Sequence, residues 1–240
     1  MSSPLDPVAA LEARVLADGA QPLLTCYDTA DGSRVEFSAR TFANWVDKTA
    51  NLIGSLGLDE GGDIGLPLLR THPGHWVSLV WAMATWQVGG RVLALPRDDL
   101  DRVELAVVGP QQAHPVPGVE TVACSLHPLG AGLAAPAPGV TDFAEVLSQP
   151  DVHWRNDPPE LWLDDGEHRR DGLALAGVTP SAQRRLHTPS GDVWQDLSSL
   201  LIAPLLGGGS TVVVRGDADA ARLAEIATAE RALSTEVLAS

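Results

Sequence analysis

Apolar and polar residues alternate with two different periods along this chain, and the period predicts the type of each element. After Ser38 the apolar positions recur every three to four residues, whereas Arg40, Asp47 and Lys48 fall on the opposite face. This pattern is typical of an amphipathic helix that packs on a sheet, and Ser38 is a suitable N-cap. The apolar positions of this helix are Phe42, Trp45, Val46, Thr49, Leu52, Ile53 and Leu56.

Residues 76–88 differ from that helix because they are apolar on nearly every side. A helix of this kind is expected between a sheet and a second layer, and not on the surface. The other predicted helices are one from Pro7 with Asp6 as N-cap, one over residues 194–206, and one from Ala218 with Asp217 as N-cap.

Short apolar runs between the helices predict strands. Residues 23–27 and 35–37 flank an Asp31-Gly32 turn, so we expect them to pair as a hairpin. The other predicted strands are residues 64–69, 92–95, 105–108, 119–124 and 211–214. Because strands alternate with helices, the sequence predicts an α/β fold with a mostly parallel sheet flanked by helices.

A chain of 240 residues is long enough for one domain with a large core, and we expect a single α/β domain over residues 1–240. An internal subdivision is expected, if anywhere, near residues 136–156. Residues 151–170 (DVHWRNDPPELWLDDGEHRR) are crowded with charge, so they are predicted to form an exposed connection.

Scaffold motifs in residues 38–96 resemble those of a known superfamily. Gly62-Asp63 precedes an apolar strand, Pro73 starts the next helix, and Val88-Gly89-Gly90 precedes another strand. This order is similar to the N-terminal part of the AMP-forming superfamily of acyl-CoA synthetases, luciferases and peptide-synthetase adenylation domains. The resemblance implies the fold of the N-terminal subdomain of adenylate-forming enzymes.

A second patch, residues 185–232, resembles the segment that follows the phosphate loop in that superfamily. Its clearest part is Ala203-Pro204-Leu205-Leu206-Gly207-Gly208 before an apolar strand. Between the two patches the superfamily carries a Thr/Ser/Gly-rich loop that ends in Pro-Lys-Gly and holds the ATP phosphates. Here the interval reads PELWLDDGEHRRDGLALAGVTPSAQRR, without a lysine and with Asp164, Asp165 and Glu167 in place of small donors.

The resemblance also implies where the remaining catalytic parts of such an enzyme would fall. The acidic residue that holds magnesium, the ribose-binding aspartate, the hinge and the C-terminal lysine would all lie beyond Ser240. The chain is thus similar to short relatives of the superfamily that keep only part of the large domain. No cofactor is expected from this pattern, and its cofactor-binding residues, if any, stay unknown.

Charge narrows the range of partners. The formal net charge is -15, and such a surface repels phosphate backbones, so nucleic acids and anionic membranes are disfavoured. Cys26 and Cys124 lack the spacing of a disulfide framework or a thiolate metal site, which fits a reducing compartment. We find no leader peptide and no apolar run of membrane-spanning length, and we expect a soluble cytoplasmic protein.

Two clusters contain residue types that occur in catalytic or metal sites. His72 and His75 are three residues apart and would form a metal site only with a third ligand, so we interpret them as solvent-facing beside a helix capped by Thr71. His187, Ser190 and Asp192 contain the residue types of a nucleophilic triad, but Ser190 or Asp192 as a helix cap accounts for them better. We therefore predict no catalytic residue and no metal ligand.

The glycine run and the acidic group have simple structural interpretations as well. Residues 207–210 (GGGS) precede a strand and open no helix, so a helix-to-strand turn is favoured over a phosphate loop. Asp164, Asp165, Glu167 and Asp171 lack the spacing of a calcium loop and indicate a solvated, charged loop. Packing in a core or an interface is expected for Trp76, Trp81 and Trp86.

Three hypotheses about function follow. The first is a catalytically silent remnant of an adenylate-forming large domain that acts by binding a protein or a small ligand. The second is a partial acyl-adenylate or acyl-CoA-forming enzyme that needs a partner chain. The third is a homodimeric structural or interaction protein, with the apolar helix at residues 76–88 as the first candidate interface. The sequence favours the non-catalytic role.

Overall fold

The computed structural model describes residues 6–234 as an α/β fold with two sheets. Its α-helices are α1 Pro7–Asp18, α2 Ala39–Ser55, α3 Leu68–Thr71, α4 Trp76–Gln87, α5 Gly172–Ala176, α6 Val193–Leu197, α7 Ala203–Gly207 and α8 Ala220–Glu230. Its strands are β1 Pro22–Asp28, β2 Ser33–Ser38, β3 Asp63–Gly65, β4 Arg91–Leu93, β5 Leu105–Val108, β6 Glu120–Ala123, β7 Thr141–Asp142, β8 Leu161–Asp164, β9 Arg169–Asp171, β10 Arg184–His187, β11 Ser210–Arg215 and β12 Leu233–Ser234.

Both sheets are mostly parallel, as the alternation of strands and helices predicts. One sheet has the order β12-β10-β11-β1-β2, and β2 pairs antiparallel to β1 through the turn at Gly32. The other has the order β7-β6-β5-β3-β4-β8-β9, and β9 pairs antiparallel to β8. Thus each sheet is parallel in its centre and has one antiparallel strand at an edge.

Helix α4 lies in the interior between the two sheets. All twelve of its residues are buried, which confirms the position that its uniform apolarity predicts. One continuous cluster of buried apolar side chains contains α4 together with Leu24 and Val213 of the first sheet and Ile64 and Val107 of the second. Because α4 is covered on every side, it is not an exposed surface, and the expectation that it forms an interface is wrong.

Side-chain caps set the starts of the longer helices. Asp6 accepts from the N–H groups of Val8 and Ala9, and Ser38 accepts from that of Thr41, as predicted. The last helix differs from the prediction. It begins at Ala220 and its N-cap is Asp219, two residues after Asp217, because Asp219 is the carboxylate that reaches the N–H of Arg222.

Three other predictions about elements need correction. Residues 151–170 include β8, a strand with a buried centre, and are not wholly an exposed connection. The strand predicted over residues 64–69 ends at Gly65, because Pro67 lacks an N–H for the ladder and precedes the short helix α3. Strand β10, between β11 and β12, was not predicted.

The helix expected over residues 194–206 is interrupted in its middle. Residues Ser198–Ile202 form a π-helical turn between α6 and α7, in which the N–H of Ala203 donates to the carbonyl of Ser198. Pro204 explains the change, since it has no N–H for the normal helical bond and its ring crowds the preceding turn. Within residues 6–234 no helix is long and apolar enough to cross a membrane.

Candidate functional site

The first part of the interval in which the resemblance implies a phosphate loop forms the β8–β9 hairpin, and the rest contains α5 and the loop that leads to β10. Residues 165–168 make its turn, and Gly166 adopts the positive φ of 90° that this turn requires. A phosphate loop needs backbone N–H groups that point outward and are free to meet an anion. The hydrogen bonds of this turn therefore decide whether it offers such a site.

Carboxylates of the hairpin itself occupy the N–H groups of the turn. The N–H of Gly166 donates to Asp164 Oδ1 at 2.9 Å. The N–H groups of Glu167 and His168 both donate to Asp165 Oδ1, at 2.9 and 2.7 Å. Three consecutive amides are thus already paired with anionic oxygens. A nucleotide phosphate would have to displace two carboxylates and would then lie beside them.

Two of the arginines near the hairpin, Arg169 and Arg70, also donate to hairpin oxygens. Arg169 Nε donates to Asp164 Oδ2 at 3.1 Å, and Arg70 Nη1 donates to the carbonyl of Asp165 at 3.0 Å. Lys48 is the one lysine in the sequence, and it lies on α2, where its ammonium donates to the carbonyl of Gln149. Asp164 and Asp165 are therefore turn-forming groups and not simply solvated charges, and Asp171 is the N-cap of α5.

His72 and His75 are not arranged as a pair of metal ligands. His75 is buried and caps α4, because its Nδ1 accepts from the N–H of Val77 and its Nε2 pairs with the carbonyl of Leu126. Burial, together with the charge of Arg215, lowers the pKa of His75 to about 3, so the ring is neutral. The predictions that it faces solvent and that Thr71 caps the helix are wrong. The Thr71 hydroxyl donates to the Pro67 carbonyl instead.

The residues of the possible triad serve the start of α6. The Ser190 hydroxyl donates to Asp196 Oδ1 at 2.8 Å, so its proton is not directed at His187. Asp192 is the N-cap of α6 and accepts from the N–H of Gln195. In a Ser-His-Asp triad the serine donates its proton to the histidine, whereas here it donates to the carboxylate of the buried Asp196. The helix-cap interpretation of Asp192 is confirmed.

The glycine run is a turn packed against backbone. A β-carbon on Gly207 would lie 2.3 Å from the backbone of Ser181, and one on Gly209 would lie 2.4 Å from the Ser181 carbonyl oxygen. The N–H of Gly209 donates to the carbonyls of Ser181 and Pro204. Glycine is needed here for close approach, as the helix-to-strand interpretation expects.

Both cysteines are buried thiols without a disulfide. Burial raises the pKa of Cys26 to about 12 and that of Cys124 well above its ordinary value. A thiol with so high a pKa is a poor nucleophile at neutral pH. Among the described residues, no group of three or more His, Cys, Asp or Glu side chains is arranged to hold a metal ion.

An apolar groove beside α5 was not predicted from the sequence. It has a volume of about 500 Å³ and lies between α5, with the residues just after it, and the segment from α6 to α7. Its walls include Ala174, Val178, Trp194 and Ala203. The Arg170 guanidinium lies over the Trp194 ring, 5.8 Å from the ring centroid. The groove depends on two segments that the sequence separates, so no local pattern indicates it.

Comparison with known proteins places the chain in a family. No family model matches it. It is 32% identical over 234 residues to a "TIGR03089 family protein" of Mycobacterium tuberculosis (strain ATCC 25618 / H37Rv), and the match covers 92% of this chain and 93% of that protein. The chain belongs to the TIGR03089 family.

Solved structures show which fold this TIGR03089 family chain shares. A Brucella canis acyl-CoA synthetase matches 96% of the chain with a TM-score of 0.67 and 15% identity. An anthranilate CoA ligase in complex with anthranoyl-AMP matches 91% (TM-score 0.65, 15% identity), and a coronafacic acid ligase from Pectobacterium brasiliense matches 93% (TM-score 0.64, 12% identity). The chain spans about half of each solved chain, at 46–47%. It has the fold of the N-terminal part of adenylate-forming enzymes.

Proposed function

We propose that this TIGR03089 family chain is a non-adenylating protein that acts by binding a small ligand or a partner protein. The scaffold is shared with adenylate-forming enzymes, whereas its β8–β9 turn is built differently from a phosphate-binding loop. The proposal depends mainly on one observation, namely that Asp164 and Asp165 accept the hydrogen bonds of three consecutive turn amides.

Electrostatics supports this proposal. Phosphate binding in such loops relies on free N–H groups and on a nearby cation. Here the amides face carboxylates, and the chain as a whole carries a formal charge of -15. An ATP triphosphate at this turn would find the N–H groups of residues 166–168 already paired and would meet two like charges at hydrogen-bonding distance from the same amides. The turn therefore lacks the phosphate-binding amides that the first step of adenylation requires.

The groove beside Trp194 favours the binding of a small ligand. The alternative is the binding of a partner protein, and Trp154 favours this alternative. This tryptophan is 87% exposed on a segment whose backbone is held by Gln87, which donates to the His153 carbonyl and accepts from the N–H of Asn156. Exposed tryptophans on ordered backbone are typical anchors of protein interfaces. The proposal therefore includes a partner protein, and a second copy of this chain is one such partner.

Isothermal titration calorimetry with ATP and magnesium tests the loss of nucleotide chemistry. We expect no saturable heat up to millimolar ATP, because carboxylates already occupy the backbone N–H groups of the β8–β9 turn. An intact acyl-CoA synthetase, titrated in the same buffer, is the positive control. Micromolar ATP affinity, followed by pyrophosphate release that depends on an added carboxylic acid, would contradict the proposal and favour a partial enzyme that works with a partner chain.

A further inference from the structure

The groove between α5 and the α6–α7 segment has the size and lining of a small-molecule site. Its volume of about 500 Å³ lies in the range of ligand pockets, which is roughly 300–1,000 Å³. Ala174 and Val178 form one side, Ala203 lies on the other, and the indole of Trp194 supplies a flat surface. A planar molecule can lie against these groups.

Charge at the groove restricts the ligand further. Among the described residues, none of those that line the groove is Asp, Glu, Lys, Arg or His. Transfer of an ion into such surroundings is unfavourable unless a counter-charge is present. Arg170 is the nearby cation, but its guanidinium lies over the ring of Trp194 and it is not among the lining residues. An uncharged molecule therefore fits the groove better than an anion or a cation.

Among the described residues, three polar side chains at the groove lack a hydrogen-bond partner, and one of them is the buried hydroxyl of Ser198. Within the described part of the chain, the hydroxyl of Thr179 and the side-chain amide of Gln195 make no hydrogen bond to protein, and both residues are exposed. A few polar groups in a mostly apolar pocket are what usually orient a small ligand. They match a ligand with one or two hydroxyl, carbonyl or amide groups.

We propose that this groove binds a small, uncharged, planar aromatic molecule that carries one or two hydrogen-bonding groups. The inference rests on the proposed function and gives that function a place and a ligand class. The ring lies against Trp194 and the alanine side chains, and the polar groups of the ligand meet Thr179 or Gln195. Stacking on an aromatic ring adds to the gain from burial of apolar area.

Three compounds with one ring system test the ligand class. We would titrate 2-naphthol, 2-naphthoate and 2-naphthylmethylammonium into the ¹⁵N-labelled protein and follow the indole N–H signals, with that of Trp194 assigned from the Trp194→Phe variant. We expect 2-naphthol to shift the Trp194 signal saturably and to bind at least about tenfold more tightly than either ion, because no charged side chain lines the groove. Equal affinities, or tighter binding of an ion, would overturn the inference.

The chain offers a matched pair of variants for the location. Ala174→Phe fills the groove, whereas Ala176→Phe adds the same ring at an exposed position of the same helix, outside the groove. The first should weaken 2-naphthol binding by about tenfold or more, and the second should change it less than about twofold. Unchanged binding by Ala174→Phe would overturn the inference. If Ala174→Phe does not fold, Thr179→Phe at the exposed rim of the groove is used in its place.

Trp154 provides an internal control for non-specific binding. Because it is exposed and does not line the groove, its indole signal should stay in place while that of Trp194 moves. Shifts of both signals in parallel, without saturation, would overturn the inference. The outcome is separate from the nucleotide test. If the protein binds neither 2-naphthol nor ATP, the inference about the groove is wrong and the proposed non-adenylating function still stands.

Discussion

Glu230, at the end of α8, shows how much of the stability of this fold depends on one side chain. Its carboxylate accepts from Arg34 Nε at 2.8 Å, from Arg184 Nη2 at 2.6 Å and from the hydroxyl of Tyr27 at 2.5 Å. Burial alone would raise the pKa of Glu230, but these hydrogen bonds outweigh it and lower the pKa to about 2. The residue thus links α8 to β1, β2 and β10.

Replacement of Glu230 by Gln should destabilise the protein by about 1–3 kcal/mol at pH 7, since charge-assisted hydrogen bonds to two arginines are lost. The folded-state pKa lies below that of the unfolded chain. The contribution of the carboxylate is therefore complete above the ordinary glutamate pKa of 4.5 and is lost as pH falls toward 2. Urea unfolding at pH 7 and at pH 3 measures both effects, and the difference between wild type and variant should shrink at the lower pH.

Glu225 on the same helix is the matched control. It is exposed and pairs only with Arg222, three residues away, so Glu225→Gln should change the free energy of unfolding by less than about 0.5 kcal/mol. Equal losses of unfolding free energy for the two variants would show that the hydrogen bonds around Glu230 contribute no more than an exposed ion pair.

Among candidate site residues, the sequence identified Asp164, Asp165 and Glu167 as groups that conflict with a phosphate loop. The sequence did not show which groups these carboxylates bind. Their role became clear only with the turn geometry, in which Asp164 and Asp165 accept from the backbone N–H groups of residues 166–168. His75 is the opposite case. A histidine beside a helix start looks exposed in sequence, and its burial follows from the packing of α4 and the segment at Leu126.

At the scale of elements, the turn from α7 to β11 tests the interpretation of the glycine run. Gly207→Ala should destabilise the protein by about 1–3 kcal/mol or more, because the added carbon would lie 2.3 Å from the Ser181 backbone. Thermal or urea unfolding measures this loss. If the run were instead a loose ligand loop, Gly207→Ala would fold with wild-type stability.

Gly172→Ala is the control for that prediction. Gly172 begins α5, and a β-carbon there would meet nothing within 4 Å. Alanine should therefore leave stability unchanged or raise it by about 0.4–1 kcal/mol, through lower entropy of the unfolded chain. A destabilisation equal to that of Gly207→Ala would show that the effect is general to glycine removal and not due to the contact with Ser181.

Elements with a strong local signal were predicted, and elements defined by their partners were not. Helices α2 and α4 and the hairpin of β1 and β2 follow from periodicity and turn chemistry. Strand β8 is four residues long within a charged segment, and only its pairing with β4 and β9 makes it a strand. Strand β10 contains two arginines and likewise depends on β11.

At the scale of the whole molecule, one core joins the two sheets. The same cluster of buried apolar residues contains α2 and α4 and side chains from both sheets. Separation of the sheets would expose buried apolar side chains of α4 to water. We therefore predict a single cooperative unfolding transition, in which tryptophan fluorescence and far-ultraviolet circular dichroism change with the same midpoint. Two separate midpoints would instead support an internal subdivision near residues 136–156.

The sequence by itself determined the α/β class, the main helices, the parallel strands with strong apolar runs and the likeness to adenylate-forming enzymes. These depend on local periodicity, capping and turn chemistry, which a chain carries in its own order. Only the tertiary structure decided that Asp164 and Asp165 fill the hairpin amides, that His75 is neutral and buried, and that Trp194 lines a groove. The physical reason is that desolvation and hydrogen-bond partners come from segments distant in sequence, so they exist only after the chain has packed.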